Sequence, residues 1–113
     1  MAQDFERVYK SQVTSSAHTL LTSNSDDALI GIRLTNITTA ALTVSCWIDV
    51  AGAGSTASIV YLAKDLTLSP NGSIELIQGG AKINMLSGDV LKAQSSASNS
   101  VAAYVSYIDA IST

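Results

Sequence analysis

Few side chains in this 113-residue sequence could carry out catalysis. His18 is the one histidine, in the stretch SSAHTL, so a Ser-His-Asp arrangement would have to combine it with one of many serines. The sequence lacks the Gly-x-Ser-x-Gly pattern that exposes a nucleophilic serine at a sharp turn. A general base also needs a carboxylate to orient it, which a sequence does not show. We therefore interpret His18 as a surface or turn residue and predict no catalytic residue and no enzyme activity.

Residues that could hold a metal or react as a thiol are equally sparse. Cys46 is the one cysteine, which excludes an intramolecular disulfide and a cluster of thiol ligands. It lies on the apolar side of an alternating segment, so we predict a buried, inert thiol. Asp26 and Asp27 could offer oxygen ligands to Ca²⁺, but the alternating ligands of a calcium loop are missing, and we interpret the pair as a solvated turn. We expect no metal, no cofactor and no small-molecule substrate.

The charges of the chain argue against two classes of partner. The net charge is −3 and the pI is about 4.7, and the six Lys and Arg residues form no cluster, so we do not expect nucleic-acid binding. The opening MAQDFERVYK is acidic where a secretory signal is basic, and no apolar run approaches the ~18 residues that span a bilayer, so we expect a soluble chain without a membrane partner. Only 13% of the residues are charged, about half the share of roughly 25% that is usual in soluble domains, which suggests surface burial against other chains.

Apolar and polar residues alternate along the chain, as they do in half-buried β-strands. Residues 41–50 (ALTVSCWIDV) are the clearest case, with one apolar side and one wetter side. The wetter side comprises Thr43, Ser45, Trp47 and Asp49. Just before this segment Ile30, Ile32 and Leu34 share one side, and the five residues 36–40 between the two runs have the length of a hairpin connection.

The same alternation predicts strands at residues 5–14, 57–66, 73–78, 81–86, 90–95 and 101–111. Turn residues separate several of them, at residues 70–72 (PNG), 79–80 (GG) and 87–89 (SGD), where Pro presets φ and Asn or Gly tolerates a positive φ. Short strands at this spacing predict an all-β fold. We expect a single β-sandwich domain over residues 1–113, of the jelly-roll or immunoglobulin-like type, with about eight antiparallel strands.

Two segments suggest contacts with other chains. Residues 101–111 (VAAYVSYIDAI) are apolar on both sides, which suits a strand in the middle of a sandwich that packs on a neighbouring subunit. Residues 1–10 are a candidate N-terminal arm that either adds to a neighbour's sheet edge or pairs within its own sandwich. Trp47 is either covered by a loop or offered to a partner. The candidate interface residues are Phe5, Arg7, Tyr9, Trp47, Tyr104 and Tyr107.

The order of these elements resembles that of small β-sandwich virion proteins of tailed phages, especially phages of marine cyanobacteria. The resemblance covers residues 7–109 and contains no catalytic motif. It runs through the phrases RVYKSQVTSSAHTLLT, ALIGIRLTNITTAALTVSCWI, IVYLAKDLTLSPNGSIELI, KINMLSGDVLKAQSS and SVAAYVSYIDA. The loop AGAGSTAS at residues 51–58 is longer than in that pattern.

The resemblance implies a structural subunit present in many copies in a virion, synthesised in the host cytoplasm and held by its own copies or by other virion proteins. A capsid-decorating (cement) or other particle-surface subunit is the first interpretation. A small tail, neck, baseplate or fibre-associated protein is the alternative. A free carbohydrate-binding module is a further alternative. It would need several exposed aromatic residues on one face, and Phe5, Tyr9 and Trp47 form no strip by their positions along the strands.

Overall fold

The computed structural model describes residues 4–111, and β-strands account for most of them. In that part of the chain the helical structure is one 3-10 turn, Val50–Gly52. The strands are β1 (Asp4–Val13), β2 (His18–Thr22), β3 (Asp27–Asn36), β4 (Leu42–Asp49), β5 (Ile59–Leu68), β6 (Ser73–Glu75), β7 (Ile83–Met85), β8 (Val90–Ser95) and β9 (Val101–Asp109). The prediction of an all-β fold with short antiparallel strands is confirmed.

The strands pair from the two ends of the chain towards its middle. Antiparallel pairs join β1 to β9, β2 to β8 and β4 to β5, while β6 and β7 both pair with β3 and share one strand position. The chain therefore has the topology of one long hairpin folded over into two sheets. The first sheet has the order β1-β9-β3-β6, with β7 also beside β3, and the second has the order β2-β8-β4-β5. This is the jelly-roll topology, which selects between the two sandwich types that the sequence left open.

The core lies between the inner faces of the two sheets. Ile32 and Val105 of the first sheet are fully buried, as are Cys46 and Leu91 of the second. They belong to one cluster of buried apolar side chains to which both sheets contribute. Burial of this apolar area, at roughly 25 cal/mol per Å², is the main term that stabilises such a sandwich.

β-Bulges explain two differences from the predicted pattern. A register shift between Leu29 and Gly31 inserts an extra residue in β3, so Leu29 is fully buried and Ile30 is not, although Ile32 and Leu34 are buried as expected. A similar shift in β2 places the consecutive Leu20 and Leu21 both in the core, which removes the alternation there. The sequence analysis therefore missed β2, the strand that begins at His18.

The segment at residues 36–40 is not a hairpin. It connects β3 of the first sheet to β4 of the second, because β3 pairs with β9 and β4 pairs with β5 and β8. The buried Asn36 anchors this crossing: its amide group donates to the carbonyl oxygens of Ala40 (2.8 Å) and Ser69 (3.1 Å), and its Oδ1 accepts from the Thr38 N–H (2.9 Å). A buried amide with these partners costs little to desolvate and holds the two sheets in register at this end.

The turns predicted from Pro, Asn and Gly lie where the sequence indicated them. Asn71 follows Pro70 with φ at +58°, and the Gly72 N–H donates to the Ser69 carbonyl oxygen at 2.9 Å, so this turn needs the positive φ at Asn71 and not at Gly72. Gly79 and Gly80 both have positive φ in the turn before β7. These turns orient the short strands β6 and β7 along β3.

Residues 4–10, the described part of the candidate arm, pair with β9 of the same chain. The register runs from Asp4 opposite Asp109 to Lys10 opposite Ala103. β1 is therefore an edge strand of the first sheet, and β9 lies between β1 and β3, in the middle of that sheet as expected for residues 101–111. The arrangement brings Asp4 and Asp109 side by side.

Candidate interaction surface

The outer face of the first sheet carries three large, exposed aromatic side chains. Phe5 is 79% exposed, Tyr9 61% and Tyr104 50%. They are half of the six aromatic residues in the chain. An apolar group of this kind on a solvent-facing sheet commonly marks an interaction site. We call the outer surface formed by Phe5, Arg7, Tyr9, Tyr104 and Arg33 the aromatic face.

Strand register brings the members of the aromatic face together. Tyr9 lies directly opposite Tyr104, and Tyr104 lies opposite Arg33 on the other side of β9. Such cross-strand neighbours have Cβ atoms about 4.5–5.5 Å apart. The next row along the same face contains Arg7, with the small residues Ser106 and Gly31 beside it. Phe5 follows in a third row, opposite Ile108.

Two arginines give the aromatic face a positive charge. The Arg7 guanidinium lies over the Tyr9 ring, with Cζ 5.1 Å from the ring centroid, a geometry that favours cation–π attraction. Arg33 is half exposed, and its Nη2 lies 3.9 Å from Glu75 Oε1. The other oxygen of that carboxylate, Oε2, accepts from the Ile32 N–H at 2.6 Å. Glu75 lies opposite Arg33 in the β3–β6 register, so it shares this outer face and offsets one of the two positive charges.

The four predicted interface residues Phe5, Arg7, Tyr9 and Tyr104 thus share one face, and the other two lie elsewhere. Trp47 is on the second sheet and is 7% exposed. Its ring centroid is 5.7 Å from that of Tyr61, its cross-strand partner on β5, and Lys64 Nζ lies 4.8 Å from the Tyr61 centroid. We call these three residues the Trp47 cluster. Trp47 is thus mostly buried within its own chain, beside a strand and not under a loop, and its role in an interface stays a prediction.

Tyr107 points towards the interior and packs against the core cluster. Burial, followed by the nearby Glu6 and Asp109 carboxylates, raises the pKa of its phenol. It is half-buried, and its position on β9 is of opposite parity to Tyr104. Tyr107 therefore does not contribute its ring to the aromatic face, and its role in an interface stays a prediction.

Arg33 is the member of the aromatic face that the sequence analysis did not select. The signal was present, because Arg33 lies on the polar side of an alternating strand. The sequence does not show which strand lies beside β3. In the structure β9 lies between β1 and β3 and places Tyr104 beside Arg33. A parity argument assigns a side of a strand but does not identify which strands share that side.

The outer face of the second sheet is more polar than the aromatic face. A shallow hollow of about 210 Å³ there is lined by Thr43, Ser45, Asp65, Gln94, Ser95 and Ser96. Asp65 has a φ of +49° at an irregular position in β5, where its N–H donates to Ser45 Oγ at 2.9 Å. The hydroxyl, amide and carboxylate groups around the hollow make this part of the outer face polar.

The side chains considered for chemistry have structural partners. His18 is half-buried at the start of β2, and its Nε2 lies 3.0 Å from Thr14 Oγ1, so it is not a turn residue. Cys46 is fully buried, and burial raises the pKa of its thiol to about 12, which confirms the prediction of a buried, inert thiol. Across residues 4–111 there is no group of three or more His, Cys, Asp and Glu side chains that could hold a metal ion.

The prediction of a solvated turn was wrong for Asp27, which is 1% exposed. Its Oδ2 accepts from Ser23 Oγ at 2.7 Å, and its Oδ1 accepts from Ser25 Oγ at 2.9 Å and from the Ala110 N–H at 3.2 Å. Burial opposes ionisation, but these hydrogen bonds outweigh it and hold the pKa of Asp27 below its ordinary value. The carboxylate joins the start of β3 to the end of β9.

None of the helical structure in residues 4–111 is both long and apolar enough to cross a membrane. The sequence matches no family model and no curated protein. Among solved structures, the chain is similar to one in "Acidic stable capsid structure of Helicobacter pylori bacteriophage KHP30", with a TM-score of 0.55 and 12% sequence identity. The match covers 96% of this chain and 87% of that chain, so the two have similar lengths and share a fold over nearly all of them.

Proposed function

We propose that this protein is a non-enzymatic structural subunit of a tailed-phage virion and that it decorates the capsid surface as a cement-type subunit. The observation that carries the proposal is the similarity of fold, over 96% of this chain, to a chain of comparable length in a phage capsid structure. The resemblance of the sequence phrases to small virion proteins of tailed phages supports the same class. The protein would then be made in the host cytoplasm and reside in the virion.

The aromatic face supports this proposal because a decorating subunit needs a surface that binds another protein. Tyr and Arg are enriched among the residues that contribute most to protein–protein affinity. Tyr9, Tyr104, Arg7 and Arg33 lie together on the outer face of the first sheet, and two of them are on its edge strand β1. Other virion proteins, together with further copies of this chain, are the partners we propose, and nucleic acid and membranes are not.

A small tail, neck, baseplate or fibre-associated subunit is the alternative within the same class. The same fold and the same exposed face would serve either location. Electron microscopy of labelled particles distinguishes them: a label spread over the shell supports decoration, and a label restricted to the tail or neck supports the alternative.

A free carbohydrate-binding module is a second candidate, and one observation favours it. Three exposed aromatic rings share one face, although their positions along the strands did not indicate a strip. Sugar rings stack on such side chains, but here the Arg7 guanidinium already covers the Tyr9 ring. Retention of the protein on insoluble neutral polysaccharides, lost when Phe5 and Tyr104 are changed to Ser, would establish this candidate.

Mass spectrometry of particles purified from the virus that encodes this chain tests the proposal. We expect the protein in the particles at many copies, at a constant ratio to the main shell protein after gradient purification. A protein found in the lysate and absent from the purified particles would rule out a virion subunit.

Deletion of residues 1–10 tests how the arm contributes to assembly. β1 pairs with β9 of its own chain through residues 4–10, and Val8 packs against the core, so we expect the deletion to abolish the cooperative thermal transition. Retention of that transition with loss of assembly would instead indicate an arm exchanged between subunits. Circular dichroism and light scattering of the same sample measure both properties.

A further inference from the structure

We infer that the aromatic face binds a protein surface that is acidic and partly apolar. This inference rests on the proposed function, because the partner we have in mind is the larger virion protein on which the subunit is seated. It adds the chemistry of that partner and the face that meets it.

The charge of the aromatic face is opposite to that of the whole chain. The chain has a formal net charge of −3, yet Arg7 and Arg33 both project from this face. Glu75 lies opposite Arg33 on the same face, with Oε1 3.9 Å from Arg33 Nη2, and it offsets one of these charges. The second positive charge, on Arg7, keeps the face positive overall. Interfaces pair potentials of opposite sign, since like charges brought together repel. The complementary surface therefore carries carboxylates.

The apolar part of the face indicates that this partner is not purely acidic. Phe5 and Tyr104 are 79% and 50% exposed, and Ile108 lies opposite Phe5 in the same row. In the row between them, the small side chain of Ser106 allows a partner's side chains to approach the sheet, while the Glu75 carboxylate lies beside Gly31. Aromatic side chains flanked by arginine are typical of the central, desolvated part of a protein interface.

Face-to-face contact between two copies of this chain is disfavoured by the same charges. A two-fold contact places the same positively charged patch on both subunits. Glu75 offsets Arg33 within each copy, but Glu6 has the opposite parity to Arg7 on β1, so the positive charge of Arg7 would be present on both sides of the contact. A partner of different composition avoids this repulsion.

The two cation–π pairs found within residues 4–111 provide a matched test. Arg7 lies over Tyr9 on the first sheet, and Lys64 lies over Tyr61 on the second. On particles from which the subunit has been removed, we expect Arg7→Glu to weaken rebinding by at least about tenfold, on the scale of an interface hot spot. We expect Lys64→Glu to rebind like the unmodified protein. The affinity of the unmodified protein should fall as salt is raised from 50 to 500 mM, because salt screens the charges. Equal effects of the two variants would overturn the assignment of the face while leaving a virion role intact.

A second measurement is independent of any particle. The purified protein is titrated with a random copolymer of glutamate and tyrosine, and with a copolymer of lysine and tyrosine as the control, while backbone amide shifts are followed by NMR. We expect shifts confined to β1, β9 and β3, for the glutamate copolymer alone, and their loss in Arg7→Glu and in Tyr104→Ser but not in Lys64→Glu. Absence of binding, shifts on the second sheet, or equal binding of the lysine copolymer would each overturn the inference.

Discussion

The outer faces of the two sheets contain similar side chains and differ in what covers them. On the first sheet, Phe5, Tyr9 and Tyr104 are at least half exposed, and Arg7 lies over Tyr9. On the second sheet, Trp47 is 7% exposed beneath Tyr61, and Lys64 lies over Tyr61. Each face therefore combines aromatic rings with cations, and only the second buries its largest ring.

The position relative to the sheet edge explains the exposure of Phe5 and Tyr9, but not that of Tyr104, which is on the central strand β9. Trp47 is on β4, which has a neighbouring strand on either side, and Tyr61 of the edge strand β5 is directly opposite it. Phe5 and Tyr9 are on β1, itself an edge strand, so no further strand of the described chain lies beyond them. An aromatic pair across two strands gains about 0.5–1.5 kcal/mol beyond the burial of its area. Side chains on an outermost strand have a neighbouring strand of their own chain on one side only. A binding partner can cover them on the other side.

The largest expected effect concerns the inner side of the first sheet. Ile32 is fully buried and Arg33, its neighbour in β3, is on the outer face, so the two positions test which face is which. We expect Ile32→Asp to lower the free energy of unfolding by at least about 4 kcal/mol, because it buries an unpaired charge. Arg33→Ser should change it by less than about 0.5 kcal/mol. Urea denaturation measures both, and similar losses would mean that the inner and outer faces have been exchanged.

The next effect compares aromatic residues of the two faces directly. We expect Trp47→Ala to cost about 3 kcal/mol, the lower end of the range for buried aromatic residues, since its ring lies on the outer side of its sheet. Phe5→Ala should be nearly neutral in the isolated protein, because its side chain is 79% exposed. Thermal unfolding followed by far-UV circular dichroism compares the two variants. A marked loss for Phe5→Ala would show that the aromatic face is already covered in solution.

The buried carboxylate at the start of β3 should make the first sheet sensitive to acid. The pKa of Asp27 is lower in the folded chain than its ordinary value near 4, so its stabilising contribution is complete above about pH 4 and is lost as the pH falls through the folded value. We expect Asp27→Asn to cost about 1.5–3 kcal/mol at pH 7, the usual contribution of hydrogen bonds to a charged group.

The difference in stability between Asp27→Asn and the unmodified protein should shrink below pH 4. Denaturation curves at several pH values measure it. A difference that stayed constant down to pH 2 would contradict an ionised Asp27 held by Ser23, Ser25 and the Ala110 N–H.

The smallest expected effect comes from exposing Trp47 on the outer face of the second sheet, as the aromatic rings of the first sheet are exposed. Tyr61→Ser removes the ring that covers Trp47, and we expect a loss of about 1 kcal/mol with a red-shifted Trp47 fluorescence as water reaches the indole. Because Trp47 is the one tryptophan, the emission reports on this position alone. Tyr104→Ser serves as the control, since it should leave the emission unchanged. An unshifted spectrum for Tyr61→Ser would show that other side chains protect Trp47.

Several features followed from the sequence because they depend on local rules. Alternation along each strand predicted the buried sides of β4 and most of β3, and the Pro, Asn and Gly residues at 70–72 and 79–80 predicted turns. The burial of Cys46 followed from its parity alone. These predictions succeed because side-chain direction and φ preference are set by the residue and its immediate neighbours. They fail at a bulge, as at Ile30 and in β2, where one extra residue reverses the parity.

The tertiary structure alone decided which strands are neighbours, and with that the candidate site. Alternation has the same period in every strand, so it cannot tell a jelly roll from another sandwich or assign an edge. The rolled hairpin places β9 between β1 and β3, which brings Tyr9, Tyr104 and Arg33 from distant parts of the sequence into one row, and it places Tyr61 over Trp47. Strand pairing joins residues that are far apart in the sequence, because it is determined by the total burial of both inner faces and by the hydrogen bonding of every strand. That is why Phe5, Arg7, Tyr9 and Tyr104 could be selected from the sequence as candidate interface residues, whereas the surface that they form with Arg33 could not be predicted.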